Sequence, residues 1–463
     1  MSAVAAIPAL PAATPPARPT LGEATRLWFR VGCLSFGGPA GQIALMHRLL
    51  VEQRRWIDET RFLHALNYCM LLPGPEAQQL ATYIGWLLHR TLGGLIAGLF
   101  FILPGALLML GLSLAYVHAA GLPPVAAAFV GIKAAVLVIV LEALLRIGRR
   151  ALRAWPMYIF AAVAFLAIFA YGVAFPWIVL AAAVAGLLGG LLWPALFHPG
   201  RGKPVAAGPP SVVDAMAAEG ELGHTRPSAR RALLLLLVFA LLWGGAVLAL
   251  HRVFGPSHVL TQESLYFSRL AVVTFGGAYA VLADMAQQAV VTYGWLDHAA
   301  MLDGLGLAET TPGPLILVTQ FVGFLAAWHQ PGALAPDTAG VLGALVTTWV
   351  TFVPCFLWIL LGAPWIERLR GNRHLTAALS GITAAVVGVV LNLTLWFGLR
   401  VTFAELETLE AAGLRLAVPK LASLDWASLA VTLGAGVLLL RLHWGVVPVL
   451  GAAAATGLLT ALG

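Results

Sequence analysis

The segment Ser35-Phe36-Gly37-Gly38-Pro39 interrupts an apolar block, and a related segment, Thr274-Phe275-Gly276-Gly277, interrupts another block 239 residues later. The same shift relates two further pairs of motifs, Trp56-Ile57-Asp58 with Trp295-Leu296-Asp297 and Pro73-Gly74-Pro75 with Pro312-Gly313-Pro314. Three separated motifs at one spacing indicate an internal repeat rather than a chance coincidence of glycine and proline. The chain is therefore predicted to contain two related halves.

The composition places both halves in a membrane. Hydrophobic residues make up 60% of the 463 residues, charged residues make up 10%, and the mean hydropathy is +0.90, whereas a soluble domain carries roughly 25% charged residues. Because one helical crossing needs ~20 apolar residues, the chain has room for about a dozen membrane segments. We therefore expect an all-α polytopic membrane protein embedded in the lipid bilayer.

Charge and cysteine content exclude several kinds of site. The net charge is +7, but the basic residues cluster in loops between apolar blocks, which is the pattern of membrane orientation and not of nucleic-acid binding. Cys33, Cys69 and Cys355 all lie within apolar runs, so neither a disulfide framework nor a thiolate metal site is predicted. No metal and no cofactor are expected.

The apolar blocks divide the chain into five predicted regions. Residues 1–20 lack the basic start and apolar core of a secretory signal and are interpreted as a disordered cytoplasmic tail. Residues 198–230 are rich in Pro, Gly and charged residues, as expected of a cytoplasmic polar linker. The first repeat is predicted at 21–197, a connecting transmembrane helix at 231–253 and the second repeat at 254–463.

The connecting helix predicts how the two halves are oriented. It has no counterpart in the first half, and one extra crossing between two units of even parity turns the second unit upside down. We therefore predict an inverted-topology repeat in a bacterial inner membrane, with a cytoplasmic N-terminus and a periplasmic C-terminus. Trp56 and Trp295 are expected to anchor the membrane interfaces.

The Gly/Pro-broken segments allow two arrangements in the bilayer. Each broken segment either crosses the membrane or enters and returns as a re-entrant hairpin, and both arrangements preserve the predicted orientation of the two halves. Re-entrant hairpins place more of the 27 Lys and Arg residues in the cytoplasm. The positive-inside rule therefore favours the hairpins.

The same interruptions predict an anion site. Glycine allows the turn, and Pro39, Pro75 and Pro314 suit the first position of a following helix, whose unpaired N–H groups and positive dipole end attract anions. The candidate substrate-binding residues are Ser35, Phe36, Gly37, Gly38, Pro39, Gln42, Pro73, Gly74, Pro75, Gln78, Lys133, Thr274, Phe275, Gly276, Gly277, Thr311, Pro312, Gly313 and Pro314. The alternative is that these residues are only kinks and packing points, as is common in membrane helices.

Three ionisable residues require separate interpretations. Lys133 is the only Lys or Arg placed in the membrane interior, where an ionisable group costs ~2.5–3.5 kcal/mol, and its repeat counterpart is Thr383. It is predicted either to bind the anion or to pair with Glu142, Glu76 or a carbonyl. Glu142 lies one turn before Arg146, so an ordinary ion pair explains it. Glu76 either complements the dipole of the helix that it begins or, beside a dianion, is a candidate proton-coupling group.

These motifs resemble those of the chromate ion transporter family in its two-domain form. The segments that resemble its first domain are Ser35-Phe36-Gly37-Gly38-Pro39, Trp56-Ile57-Asp58, Leu72-Pro73-Gly74-Pro75 and Phe101-Ile102-Leu103-Pro104-Gly105. The second half resembles the more divergent second domain and departs at Ala278, opposite Pro39, and at Thr383, opposite Lys133. The resemblance implies a transporter that exports chromate and confers chromate resistance, with sulfate as the chemically similar competitor.

Three functional classes remain after this reading. The first is a secondary transporter of chromate driven by the membrane potential or a proton gradient, because the chain has no Walker-type motif for ATP. The second is an importer or channel for sulfate or another small oxyanion. The third is an intramembrane enzyme, which is disfavoured because the sequence shows neither paired carboxylates nor a nucleophile with a base. We therefore predict that the protein is not an enzyme, and a homodimer is left open.

Overall fold

The structure is a computed structural model, and it describes seven stretches of the chain. These stretches are residues 16–36, 38–70, 72–197, 210–273, 278–365, 373–411 and 414–462. Several predicted features lie outside the described residues, namely most of the N-terminal tail, the linker residues 198–209, Gly37 and the segment Thr274, Phe275, Gly276 and Gly277.

Helices account for nearly all of the described residues. They are α1 Leu21–Leu34, α2 Gly38–His47, α3 Glu59–Cys69, α4 Glu76–Ala119, α5 Pro123–Ala151, α6 Trp155–Tyr171, α7 Phe175–Leu192, α8 Pro194–Phe197, α9 Val212–Ala218, α10 Ala229–Phe239, α11 Gly245–Phe254, α12 Val259–Val273, α13 Ala278–Gln287, α14 His298–Thr310, α15 Val318–His329, α16 Pro336–Gly362, α17 Arg373–Thr402, α18 Trp426–Gly436 and α19 Val446–Leu462. A two-stranded antiparallel hairpin, β1 Leu406–Ala411 and β2 Leu414–Pro419, lies between α17 and α18. The prediction of an all-α membrane protein built from two related halves is confirmed, with this hairpin as an addition.

Six helical stretches among the described residues are long and apolar enough to cross a membrane. They are Glu76–Ala119, Pro123–Ala151, Phe175–Leu192, Ala229–Phe254, Pro336–Trp365 and His374–Thr402. The stretch Ala229–Phe254 contains the predicted connecting helix and exposes most of its apolar surface, as expected of a helix surrounded by lipid.

The helices around the interruptions are too short to span a bilayer alone. Helix α1 has 14 residues, α3 has 11 and α14 has 13, which at 1.5 Å per residue gives about 16–21 Å against the ~30 Å of a hydrocarbon core. Helix α4 is divided into a short first part and a long second part by non-helical backbone at His89 and Arg90. Such short, paired pieces fit either half-membrane hairpins or two-part crossings.

The two halves interlock through their later helices. Helix α5 packs along α19, and α17 packs along α6 and α7, so each half packs its central helix against the last helices of the other half. A Cβ added at Gly131 would lie 1.8 Å from the Ala453 carbonyl oxygen, and one at the matched Gly381 would lie 2.5 Å from the Ala182 carbonyl oxygen. Glycine at both repeat positions therefore lets helices of opposite halves approach closely.

The Trp-x-Asp motifs begin α3 and α14 in the same way. Asp58 accepts a hydrogen bond from the Arg61 N–H and Asp297 accepts one from the Ala300 N–H, so both acids cap their helices. Trp56 and Trp295 are both buried within the protein. The prediction that these indoles anchor the membrane interfaces is therefore wrong, because each side chain packs inside the protein rather than on its outer surface.

Part of the predicted linker folds against the first half. The Val212 N–H donates to the Arg55 carbonyl at 3.0 Å, and Asp214 pairs with Arg61 at 3.3 Å. His224 lies 3.1 Å from the Trp86 carbonyl oxygen. The second part of the linker is thus docked on the loop between α2 and α3.

Candidate functional site

Two interruptions from opposite halves meet in the interior. Ser35 ends α1 and is buried, and its carbonyl oxygen accepts a hydrogen bond of 2.9 Å from the Gly313 N–H. The Gln42 amide donates to the Gly313 carbonyl at 2.6 Å. The predicted site residues Ser35, Gln42 and Gly313 are therefore brought together, although they lie in different halves of the sequence.

Each Pro-Gly-Pro segment packs against a long helix of the other half. A Cβ added at Gly105 on α4 would lie 2.1 Å from the Pro312 carbonyl oxygen, and one at Gly74 would lie 2.8 Å from the Cys355 Sγ on α16. Gly105 and Cys355 occupy matched positions, each directly after a proline inside its helix. Gly74 and Gly313 both have positive φ, 119° and 90°, which glycine adopts most readily. The two turns are therefore equivalent in backbone and in surroundings.

The helices that follow these turns begin without a side-chain cap. Pro75 is the N-cap of α4, and Pro314 precedes the 3-10 turn Leu315–Leu317 that leads into α15. Neither proline has a polar side chain that could cap the helix that follows it. The first N–H groups of a helix have no partner within it, so uncapped termini can donate to an anion. The prolines were predicted at the first helical position. That detail is wrong, since Pro75 and Pro314 stand one residue earlier and Pro39 is the second residue of α2.

Buried amide and hydroxyl groups surround the turns. The Gln78 amide donates to the Thr82 hydroxyl at 3.0 Å, the Gln79 amide to the Pro73 carbonyl at 2.7 Å and the Gln320 amide to the Ala106 carbonyl at 3.0 Å. Each of these nitrogens carries a second N–H. These side chains can therefore hold the turns in place and still donate to a ligand.

The remaining predicted residues near the interruptions have differing surroundings. The Thr311 hydroxyl is buried and donates to the Ala308 carbonyl at 3.0 Å. Phe36 is exposed, whereas Gly38 is buried with φ 67° at the start of α2. Glu76 is the first residue of α4, next to the uncapped N-terminus.

Lys133 is held away from the turns by a partner in the second half. Its Nζ lies 3.1 Å from the Asp303 Oδ1, and the Tyr116 hydroxyl donates to the Asp303 Oδ2 at 2.9 Å. Asp303 precedes Thr311 by eight residues on α14, about 12 Å along the helix. The pair Glu142–Arg146, predicted from its spacing, is confirmed at 2.6 Å.

Comparisons with known sequences follow the same two halves. The sequence model for the chromate transporter family matches residues 23–187 and 261–458. The chain belongs to the chromate transporter family. Three relatives named as transport proteins are similar to this chain over most of its length. A "Chromate transport protein" of Pseudomonas aeruginosa is 33% identical, covering 78% of this chain and 77% of its own.

The other two relatives match similar shares of the chain. A "Chromate transport protein" of Cupriavidus metallidurans is 29% identical over 80% of this chain and 81% of its own. A "Probable chromate transport protein" of Synechococcus elongatus is 27% identical over 80% of this chain and 83% of its own. No solved structure matches the chain at a significant level.

Sequence reasoning missed buried acids in the second half of the chain. Asp303 was overlooked because partners of Lys133 were sought only in the first half, although an acid inside the apolar block of α14 was a visible signal. Glu263 on α12 is fully buried, and neither carboxyl oxygen has a hydrogen-bond partner among the described residues. Its repeat counterpart, Ala24, is equally buried but apolar.

Proposed function

We propose that this chain exports chromate across the bacterial inner membrane at a site formed by the helix interruptions of both halves. The observation that carries the proposal is the contact of Ser35 with Gly313 across the two halves, beside helices that begin after a proline with no capping side chain. Backbone N–H groups at helix N-termini suit a tetrahedral dianion, and neutral donors bind weakly enough to release it. The names of the relatives supply chromate as the substrate.

The membrane potential favours outward movement of the dianion. Moving one charge through 100 mV is worth about 2.3 kcal/mol, so two charges are worth about 4.6 kcal/mol per 100 mV. An inside-negative potential therefore drives a dianion out without any coupled ion. Glu76 beside the uncapped N-terminus of α4 is the proposed proton-coupling group where a pH gradient contributes, because a charged carboxylate there would repel the dianion.

Flux measurements test the substrate, the direction and the energy source together. Radioactive chromate and sulfate are followed in inverted and right-side-out vesicles with imposed potentials or pH gradients. We expect chromate to accumulate in inverted vesicles when their interior is positive. Preferential sulfate uptake into right-side-out vesicles would instead establish the second candidate, an importer or channel for sulfate.

A further inference from the structure

The contact among Lys133, Tyr116 and Asp303 joins the two halves at one side of the molecule. Lys133 lies on α5 and Tyr116 on α4, both in the first half, whereas Asp303 lies on α14 in the second half. The Asp303 side chain is 7% exposed and that of Lys133 is 21% exposed. These partners lower the cost of keeping a charged carboxylate in the protein interior.

Close packing surrounds this ion pair. A Cβ added at Gly306 would lie 2.5 Å from Ile132 Cγ2, so α14 rests directly on α5 one turn beyond Asp303. Every residue from Met301 to Glu309 is buried. Any passage between α14 and α5 is therefore closed in this structure.

The matched positions in the first half carry different side chains. His64 stands at the repeat position of Asp303, and Thr383 stands at that of Lys133. The Thr383 hydroxyl donates to the Leu379 carbonyl of its own helix at 2.8 Å. Helix α3 packs mainly on α4 and exposes Leu63. Because threonine carries no charge, Thr383 cannot form the ion pair that Lys133 forms with Asp303.

The charges of a buried ion pair are a weak source of folding stability. Replacing such a pair by well-packed apolar residues is often neutral or stabilising, so the charges add little to stability that apolar side chains could not provide. Their useful property is that the two charges can separate. The Tyr116 hydroxyl, which stays beside Asp303, offers the carboxylate a donor when Lys133 leaves.

We propose that Lys133 and Asp303 form a gate that closes the passage between α14 and α5 and opens once in every transport cycle. The gate rests on the proposed transport function and adds Asp303 to it as a positioning residue. Lys133 thus acts through its contact with Asp303 and not as a ligand of the dianion.

Thiol labelling tests the gate directly. Ile132→Cys, in a background without the three native cysteines, places a thiol under Gly306. A charged membrane-impermeant reagent should label it slowly in the otherwise native chain. Lys133→Gln and Asp303→Asn should each raise the labelling rate about tenfold, a typical magnitude for coupling between two states. Lys133→Asp combined with Asp303→Lys should restore slow labelling.

Two controls separate the gate from a structural role. Thr383→Val, at the matched position of the first half, should leave the labelling rate unchanged. Lys133→Arg and Asp303→Glu keep both charges and should label as slowly as the native pair, so these variants decide the question if an uncharged variant does not accumulate. Fast labelling in either conservative variant, or slow labelling in both uncharged variants, would overturn the gate.

The thiol-labelling result does not depend on the identity of the substrate. Labelling is measured without chromate, whereas flux is measured in vesicles that contain the same variants. Absence of chromate flux in the native chain, together with the expected labelling, would contradict the proposed function and leave the gate intact. Normal chromate flux with unchanged labelling in Lys133→Gln and Asp303→Asn would refute the gate alone.

Discussion

Helices α3 and α14 occupy equivalent places in the two halves, yet their surroundings differ. Both begin at a capping aspartate after a buried tryptophan, and both lead into a Pro-Gly-Pro turn. Helix α14 is enclosed by α5, α15 and α19, whereas α3 packs mainly on α4 and exposes Leu63 and Met70. The local sequence therefore determines the shape of each hairpin, and contacts between the halves determine how deeply it is enclosed.

This difference in enclosure between α3 and α14 has a consequence for an inverted repeat. If the two units are upside down relative to each other, α3 and α14 face opposite sides of the membrane. An enclosed α14 and a more exposed α3 then give the two sides of the membrane different packing. Reversal of this difference would exchange the packing of the two sides.

The largest expected effect is all-or-none and concerns topology. Glu52→Cys and Val291→Cys, two exposed positions matched by the repeat, should label from opposite sides of the membrane in the background without native cysteines. Glu52→Cys should react from the cytoplasm if the first hairpin is re-entrant. The measurement is impermeant-thiol labelling of oriented vesicles. Reaction of both positions from one side would remove the inverted repeat.

The next effect concerns the contact between the halves. Gly105→Ala should abolish most chromate flux, because the added Cβ would lie 2.1 Å from the Pro312 carbonyl oxygen. Gly111→Ala on the same helix is the matched control, since nothing lies within 4 Å of its added Cβ. It should leave flux unchanged and stabilise α4 by about 0.5–1 kcal/mol. Flux normalised to folded protein checks both variants, and equal activity would mean that this close approach is dispensable.

The residues of the site were predictable from sequence, but the contacts between them were not. Ser35, Gly74 and Gly313 were identified because glycine and proline punctuate helices at a repeated spacing. That Ser35 meets Gly313, rather than the turn of its own half, depends on how the halves pack. A sequence shift reveals equivalent positions, and it does not reveal which of them touch.

The different enclosure of α3 and α14 could not be predicted from helical spacing either. The pairing of Lys133 with Asp303 joins residues in different halves, so no helical spacing could indicate it. The asymmetry could have been suspected from Thr383 and His64, which replace the two charges in the matched places. Which hairpin is enclosed in a given state is a property of the packed protein.

A smaller, kinetic effect separates the two roles considered for Lys133. As a gate residue, Lys133→Gln should change the maximal rate of chromate flux about fivefold and leave the apparent Km within a factor of two, since Asp303 and not the dianion is its partner. As a ligand of the dianion, it would mainly raise the Km. Initial rates across a chromate series, normalised to folded protein, distinguish the two roles, and Thr383→Val serves as the matched control from the other half.

The smallest effect concerns the linker, whose described part packs beside the first hairpin. Burial, opposed by the Trp86 carbonyl and reinforced by Arg90 and Arg231, lowers the pKa of His224 from its usual value. The undocked histidine therefore binds a proton more readily than the docked one. Docking is strongest above the undocked pKa of ~6.5 and weakens as the pH falls from there toward the docked pKa.

We therefore expect glutamyl endopeptidase to cleave at Glu219 or Glu221 about threefold faster at pH 5.5 than at pH 7.5, after normalisation to a free peptide at each pH. His224→Gln should abolish this pH dependence, because the amide keeps a donor for the Trp86 carbonyl and does not titrate. A pH dependence that persists in His224→Gln would assign it to another group. If loosening the linker also exposes α3 further, the pH change would widen the difference between the two hairpins, and labelling of Leu63→Cys under the same conditions would measure it.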